Sequence, residues 1–243
     1  MQLPSPKDAI HKAWLYRVLS ALCDDLEIAS VLCFKGGICA SMLGWLDRFS
    51  VDLDFDFVGG KDEMPAIRKR MEKVFRDLGL IIKDKIQQVP QYFLKYGNQE
   101  GERNSLKIDV TFPPPKANQY QAQRIASIDR IINCQTIETM FANKLVAMME
   151  RYQKTQAIAG RDLYDIHYFF LTGQRYNEKV IQERTGKTPS LFLQELSDFI
   201  EEKVTDKIIT EDLNSLLPYA KFKVMRKVLK QETLMFLNDE IKS

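Results

Sequence analysis

The sequence predicts an α+β protein, with strands gathered in its first half and helices in its second. Three observations carry this. Short runs of apolar–polar alternation, such as Val51–Phe57 and Ser105–Phe112, lie before residue 116, and a period of two is that of a half-buried strand. Pro113-Pro114-Pro115 then breaks the chain, since three prolines neither extend a strand nor sit inside a helix. The boundary this sets divides the chain into domains 1–116 and 117–243. From about Ile128 to the end, apolar residues recur at the spacing of amphipathic helices.

The elements follow in order. Ala13, Leu15, Val18, Leu19, Leu22 and Leu26 predict a helix within residues 1–30, with Pro4 and Pro6 ahead of it; His11, polar-flanked, is expected in solvent. Val31–Phe34 reads as a short buried strand, Gly36-Gly37 as a turn, and Ile38–Trp45 as a brief helix. The next strand projects Asp52, Asp54 and Asp56 to one side and Leu53, Phe55 and Phe57 to the other. Asp62 is the expected N-cap of a helix ending at Gly79, whose basic face (Arg68, Lys69, Arg70, Lys73, Arg76) reads as solvated. Strands are expected at Leu80–Gln88, Tyr92–Tyr96 and Ser105–Phe112, with a turn at Asn98–Asn104. Thr136 should cap a helix running to Tyr152. Lys144 and Arg151 fall seven and fourteen residues after Ile137, on its apolar stripe, which leaves two readings: structural ion pairs, or cations facing a triphosphate. Asp162 and Asp165 share a helix face and can pair with Lys144, Arg151 or Arg161; His167 reads as packed. Lys223, Arg226, Lys227 and Lys230 on the last helix read as a solvated face and as the best candidate for an RNA-backbone patch.

Composition sets bounds. The chain has 243 residues, enough for two modest domains or one large one, and is 45% apolar and 28% charged, as in an ordinary soluble globular protein. A net charge of +2 excludes a bulk attraction for nucleic acid, so any such partner must bind a local patch. Cys23, Cys33, Cys39 and Cys134 lack ligand-pair spacing and read as free thiols of a reducing compartment. No apolar run nears the roughly 18 residues of a membrane span, and no signal-peptide core is present. A cytoplasmic protein without membrane contact is expected.

The chemistry concentrates between Phe34 and Phe57. Three carboxylates on one strand face repel, and a divalent cation compensates them most directly, because Mg²⁺ prefers carboxylate oxygen. Backbone N–H groups at a glycine turn suit phosphate. Asp109, on an alternating strand, is the natural third ligand, since two-metal sites need a supporting acid from a neighbouring strand. Spacing alone leaves both Asp52/Asp54 and Asp54/Asp56 open as the metal pair.

Gly36-Gly37 followed by Arg48-x-Ser50-x-Asp52-x-Asp54 resembles the first motif of the nucleotidyltransferase superfamily, specifically its AbiEii/AbiGii toxin branch from bacterial toxin–antitoxin and abortive-infection systems. Ile108-Asp109-Val110 resembles the setting of the superfamily's third carboxylate. The Lys144…Arg151 helix and Asp162-x-x-Asp165 resemble the branch's two later motifs. The chain departs from the pattern at Ile38, where the branch usually has Ser or Thr. The resemblance implies a nucleotidyltransferase-like mixed β-sheet flanked by helices, followed by a C-terminal helical domain. It implies transfer of NMP from an NTP to an acceptor hydroxyl, with a tRNA 3′ end or other RNA as acceptor and a cognate antitoxin as partner. Mg²⁺ (or Mn²⁺) would be held by Asp52, Asp54 and Asp109, and Asp109 would accept the hydroxyl proton. Gly36, Gly37, Arg48 and Ser50 would hold phosphate, Lys144 would add positive charge, and Asp162 or Asp165 would orient Lys144 or the acceptor. The alternatives are a nucleotidyltransferase acting on a protein or small molecule, and a catalytically degenerate fold that binds RNA or protein, which Ile38 suggests.

Overall fold

The computed structural model describes residues 8–86, 89–97 and 103–242. Pro4, Pro6, the end of the Leu80–Gln88 run and most of the Asn98–Asn104 turn lie outside the described residues. Contacts divide the chain into two compact units. Among the described residues, one holds those within 8–114 and 120–135; the other holds 115–119 and 136–242. The chain therefore crosses between them near residues 114, 119 and 135, where the sequence placed one crossing at 116.

The first unit opens with α1 (Ala9–Asp24) and α2 (Leu26–Val31) where periodicity predicts one helix. Asp25 makes the break: its Oδ1 accepts from Glu27 N–H at 3.1 Å and Ile28 N–H at 3.2 Å, starting a new helix. Leu26 leaves the stripe and is 82% exposed. His11 departs further from expectation. It is buried, with Nε2 donating to the Val51 carbonyl at 2.9 Å and Nδ1 2.7 Å from the Tyr96 hydroxyl. Its partners come from 40 and 85 residues away, which is why local polarity misled.

Burial lowers the His11 pKa from 6.5 to about 4. A depressed histidine stabilises the fold above its unfolded pKa, and that contribution is lost as pH falls from 6.5 toward 4. We expect stability to drop by up to about 3 kcal/mol across that window, taking ~1.4 kcal/mol per unit of pKa difference. The drop should be flattened in His11→Gln, as urea melts at pH 7 and pH 4.5 would show.

Next come β1 (Leu32–Lys35), α3 (Gly36–Met42), β2 (Asp52–Phe57), α4 (Met64–Asp77), β3 (Ile81–Ile86), β4 (Gln91–Lys95), β5 (Ser105–Thr111), β6 (Tyr120–Ile125) and β7 (Arg130–Gln135). Among the described residues they form one mixed sheet in the order β3-β4-β5-β2-β1-β7-β6, in which β2–β5 and β1–β7 are parallel and the other pairs antiparallel. The β6–β7 hairpin overturns the expectation of helix from Ile128. Its residues alternate poorly, and Ile131 is 73% exposed, so the segment carries little of the strand period; pairing with β1 decides it. One sheet face is apolar. Leu53, Phe55, Phe34, Ile108, Val110, Tyr92 and Leu94 lie on it in register, each at most 2% exposed, against α1 and α4. The other face carries the aspartates. Asp62 does not cap α4: Glu63 holds that position without a side-chain cap, and its carboxylate accepts from Gly60 N–H. The basic face of α4 is partly paired, Arg70 with Asp25 at 3.0 Å and Lys73 with Asp77 at 2.6 Å.

The second unit is helical: α5 (Ile137–Thr155), α6 (Gly160–Leu171), α7 (Glu178–Thr185), α8 (Pro189–Lys203), α9 (Asp206–Leu213) and α10 (Tyr219–Lys242). Thr136, Asn177, Thr188 and Thr205 cap α5, α7, α8 and α9 through their side chains. Phe141, Leu163, Phe169, Leu196, Ile200 and Leu229 are buried in its core. Lys230 is not on a solvated face. Its ammonium donates to the Glu201 and Val204 carbonyls at 2.9 and 2.8 Å, closing the C-terminus of α8. His167 is packed as expected, its Nε2 2.6 Å from Glu232. Gly160 begins α6 hard against α9: a Cβ there would lie 2.9 Å from the Ile208 carbonyl oxygen, a backbone atom. Gly160→Ala should therefore destabilise the protein by about 1–3 kcal/mol, the usual cost of overpacking, and lower the melting temperature.

Candidate active site

The site begins where β1 hands over to α3. Gly36 has φ +77°, in the left-handed region that favours glycine, and a Cβ on it would fall 2.3 Å from Asp54 Oδ2. Conformation and space thus both demand glycine, and the turn rests against the Asp54 carboxylate. Gly37 is equally enclosed. A Cβ there would meet Ser50 Oγ at 2.8 Å and the Arg48 guanidinium at 2.9 Å. Arg48 is only 2% exposed and donates to the Phe49 carbonyl at 2.9 Å. Ser41, a turn further on, is occupied elsewhere, donating to the Arg48 carbonyl at 2.9 Å. Ile38 is wholly buried, so it bears on the packing of α3.

β2 lies between β1 and β5, and its register assembles the acids. Asp54 is opposite Asp109 on β5 and opposite Lys35 on β1; Asp52 is opposite Lys107. Side chains at paired positions project to the same face, so Asp52, Asp54 and Asp109 share one side of two neighbouring strands about 4.8 Å apart. Asp109 is held by Lys107, whose ammonium is 2.5 Å from its Oδ2, with both side chains about one-third exposed. Among the described residues no three acids, histidines or cysteines converge at metal-ligand distance.

Asp56 stands apart from its neighbours. It is wholly buried; its Oδ1 accepts from Lys35 at 2.6 Å, and its Oδ2 accepts from the Tyr120 hydroxyl at 2.8 Å and the Gln135 amide at 2.6 Å. Those donors occupy both oxygens of Asp56. Of these partners Lys35 was open to notice from sequence, as the residue next to the glycine pair. Tyr120 and Gln135 were not, because they lie on the unrecognised hairpin.

Lys144, Asp162 and Asp165 meet in the second unit. The Lys144 ammonium lies 2.8 Å from Asp162 and 3.0 Å from Asp165, and Arg151 reaches Asp162 at 3.3 Å. Both carboxylates are at most 1% exposed. Burial pushes the Asp162 carboxyl up, but the Lys144 and Arg151 charges outweigh it and hold the group below the usual carboxylate range. Among the described residues no helix is long and apolar enough to cross a membrane.

Solved structures share the fold. JHP933 from Helicobacter pylori is 19% identical, with a TM-score of 0.54 over 98% of this chain and 96% of that one. MenT4, a nucleotidyltransferase toxin from Mycobacterium tuberculosis, is 17% identical, with a TM-score of 0.55 over 96% of this chain and 84% of its own. At such identities the likeness concerns the fold. No curated protein sequence matches the chain. The family described as nucleotidyl transferase AbiEii toxin, type IV TA system, matches residues 17–227, nearly the whole chain. The glycine turn, the register-matched aspartates and that match lead to one assignment: the chain belongs to the AbiEii family and is a nucleotidyltransferase of the toxin–antitoxin type.

Proposed function

We propose that the chain transfers a nucleoside monophosphate from an NTP to a hydroxyl of RNA, with a tRNA 3′ end as the favoured acceptor. It would act in the cytoplasm, restrained by a cognate antitoxin protein. The observation that carries this reading is the placing of Asp54: one of its oxygens sits against the Gly36 turn, while the residue faces Asp109 across the β2–β5 pairing. In transfer the difficulty is negative charge gathering at the α-phosphorus and on the departing pyrophosphate, so cationic and N–H groups aimed there lower the barrier. Gly36 and Gly37 would offer backbone N–H groups to the β- and γ-phosphates, with Ser50 and the buried Arg48 guanidinium holding Gly37 in place. Asp109 would take the proton of the attacking hydroxyl. Its present partner Lys107 would then be released to the substrate's negative charge.

The donors are all carboxylate oxygens on one sheet face, a set that suits a hard dication. Asp52, Asp54 and Asp109, whose carboxylates do not converge at ligand distance here, would have to turn toward one another to hold Mg²⁺ or Mn²⁺, and such an ion supplies charge stabilisation in the transfer. In the second unit Lys144 would add positive charge to the reaction, with Asp162 and Asp165 fixing its ammonium.

The test is incubation of the protein with each labelled NTP, Mg²⁺ or Mn²⁺, and total RNA. Label on tRNA supports the full reading. Label on protein or on a small molecule keeps the chemistry and replaces the acceptor. No label with any NTP, joined with no NTP-dependent rise in melting temperature, would overturn it; a ligand at 100 times its Kd should add about 2.7 kcal/mol.

A further inference from the structure

Lys35 and its partner Asp56 together link five strands. Its ammonium donates to Asp56 Oδ1 on β2 and to Thr111 Oγ1 on β5, each at 2.6 Å. The other oxygen of Asp56 accepts from Tyr120 on β6 and Gln135 on β7. Lys35 itself ends β1. One ammonium and one wholly buried carboxylate therefore fasten β1 to β2, β5, β6 and β7 on the face that carries Asp52, Asp54 and Asp109.

The position of Lys35 in the chain gives this fastening its consequence. Lys35 is the last extended residue before Gly36, with φ −147° and ψ −169°, and its Cα is opposite Asp54. Two glycines follow, and glycine has more backbone freedom to lose than any other residue. A mobile strand end would let that turn sample many conformations. Yet Gly36 is held in one, with Asp54 Oδ2 lying where a side chain would otherwise begin. The lysine side chain does not cap α3; it runs across the sheet to Asp56 and Thr111.

We propose that Lys35 is a positioning residue: its ammonium, bridged between Asp56 and Thr111, fixes the Gly36–Gly37 turn against the Asp54 carboxylate. The positioning is a property of the fold, and its effect on catalysis rests on the nucleotide reading given above. A purely structural role, neutralising buried Asp56, would instead lower stability and leave the turn and the kinetics of folded protein unchanged.

The two roles separate in Lys35→Met, Lys35→Arg and Thr111→Val. Backbone ¹⁵N order parameters of Gly36 and Gly37 should lie near the rigid value of about 0.85 in the natural protein and fall below about 0.6 in Lys35→Met. The KM for NTP should rise at least about tenfold per folded molecule, a change of 1.4 kcal/mol, with a smaller fall in kcat, and Lys35→Arg should recover most of both. Thr111→Val, which removes one arm of the bridge, should move the same quantities about threefold in the same direction. Equal order parameters in Lys35→Met and the natural protein would overturn the proposal. If Lys35→Met does not fold, Thr111→Val decides: unchanged order parameters and KM there overturn it equally. Should the natural protein transfer no nucleotide, the functional reading fails alone, and the order parameters still decide the positioning.

Discussion

Asp54→Asn is expected to lower kcat/KM for nucleotidyl transfer at least about a thousandfold, or ~4 kcal/mol at 1.4 kcal/mol per factor of ten. The substitution keeps the volume and removes the charge. Asp54 is half-buried, lies against the Gly36 turn and shares its sheet face with Asp109 and Asp52, so the charge removed is one that would face a bound cation or phosphate. The melting temperature should accordingly stay within a few degrees of the natural protein in the absence of ligand. The NTP-dependent rise in melting temperature should shrink together with activity. Full transferase activity in Asp54→Asn would remove Asp54 from the chemistry and with it the site described here.

Lys144→Ala should cost about 3–5 kcal/mol of stability, the range found when one member of a buried ion cluster is deleted. Two carboxylates, each at most 1% exposed, flank this ammonium within 3.0 Å, and its removal leaves two buried negative charges facing one another across the gap. The triple change Lys144→Met with Asp162→Asn and Asp165→Asn should recover much of that loss, because it removes both sides of the cluster. Denaturant melts of the natural protein, Lys144→Ala and the triple variant measure this directly. Activity must then be read per folded molecule. A Lys144→Ala protein that is folded at low temperature but inactive would assign Lys144 a catalytic part as well. One that regains activity whenever it is folded would confine the residue to holding α5 on α6.

These two variants show how unevenly the site could be read from the chain. The alternation of Asp52, Asp54 and Asp56 with Leu53, Phe55 and Phe57 is a local pattern, and the strand formed with that facing. The glycine pair, the Thr136 cap of α5 and the helices that follow were equally legible, since each depends on neighbours a few residues away. The surroundings of Asp56 were not. Nothing near Asp56 in sequence foretells that Lys35, Tyr120 and Gln135, which lie 21, 64 and 79 residues away, will fill both its oxygens. The burial of His11 has the same distant origin, and the β6–β7 hairpin is made strand by pairing with β1 rather than by its own periodicity.

By itself, then, the sequence determined which residue types occur at which spacing: the acids on one strand face, the glycines before them, the helical second half and the family to which these motifs point. Only the tertiary structure decided which strands those acids face and that Asp56 is buried among Lys35, Tyr120 and Gln135. Periodicity governs the direction a side chain takes from its own element. Which partners that side chain then meets, and how deeply they bury it, depends on strand order and register, and these arise from contacts between segments far apart in the chain.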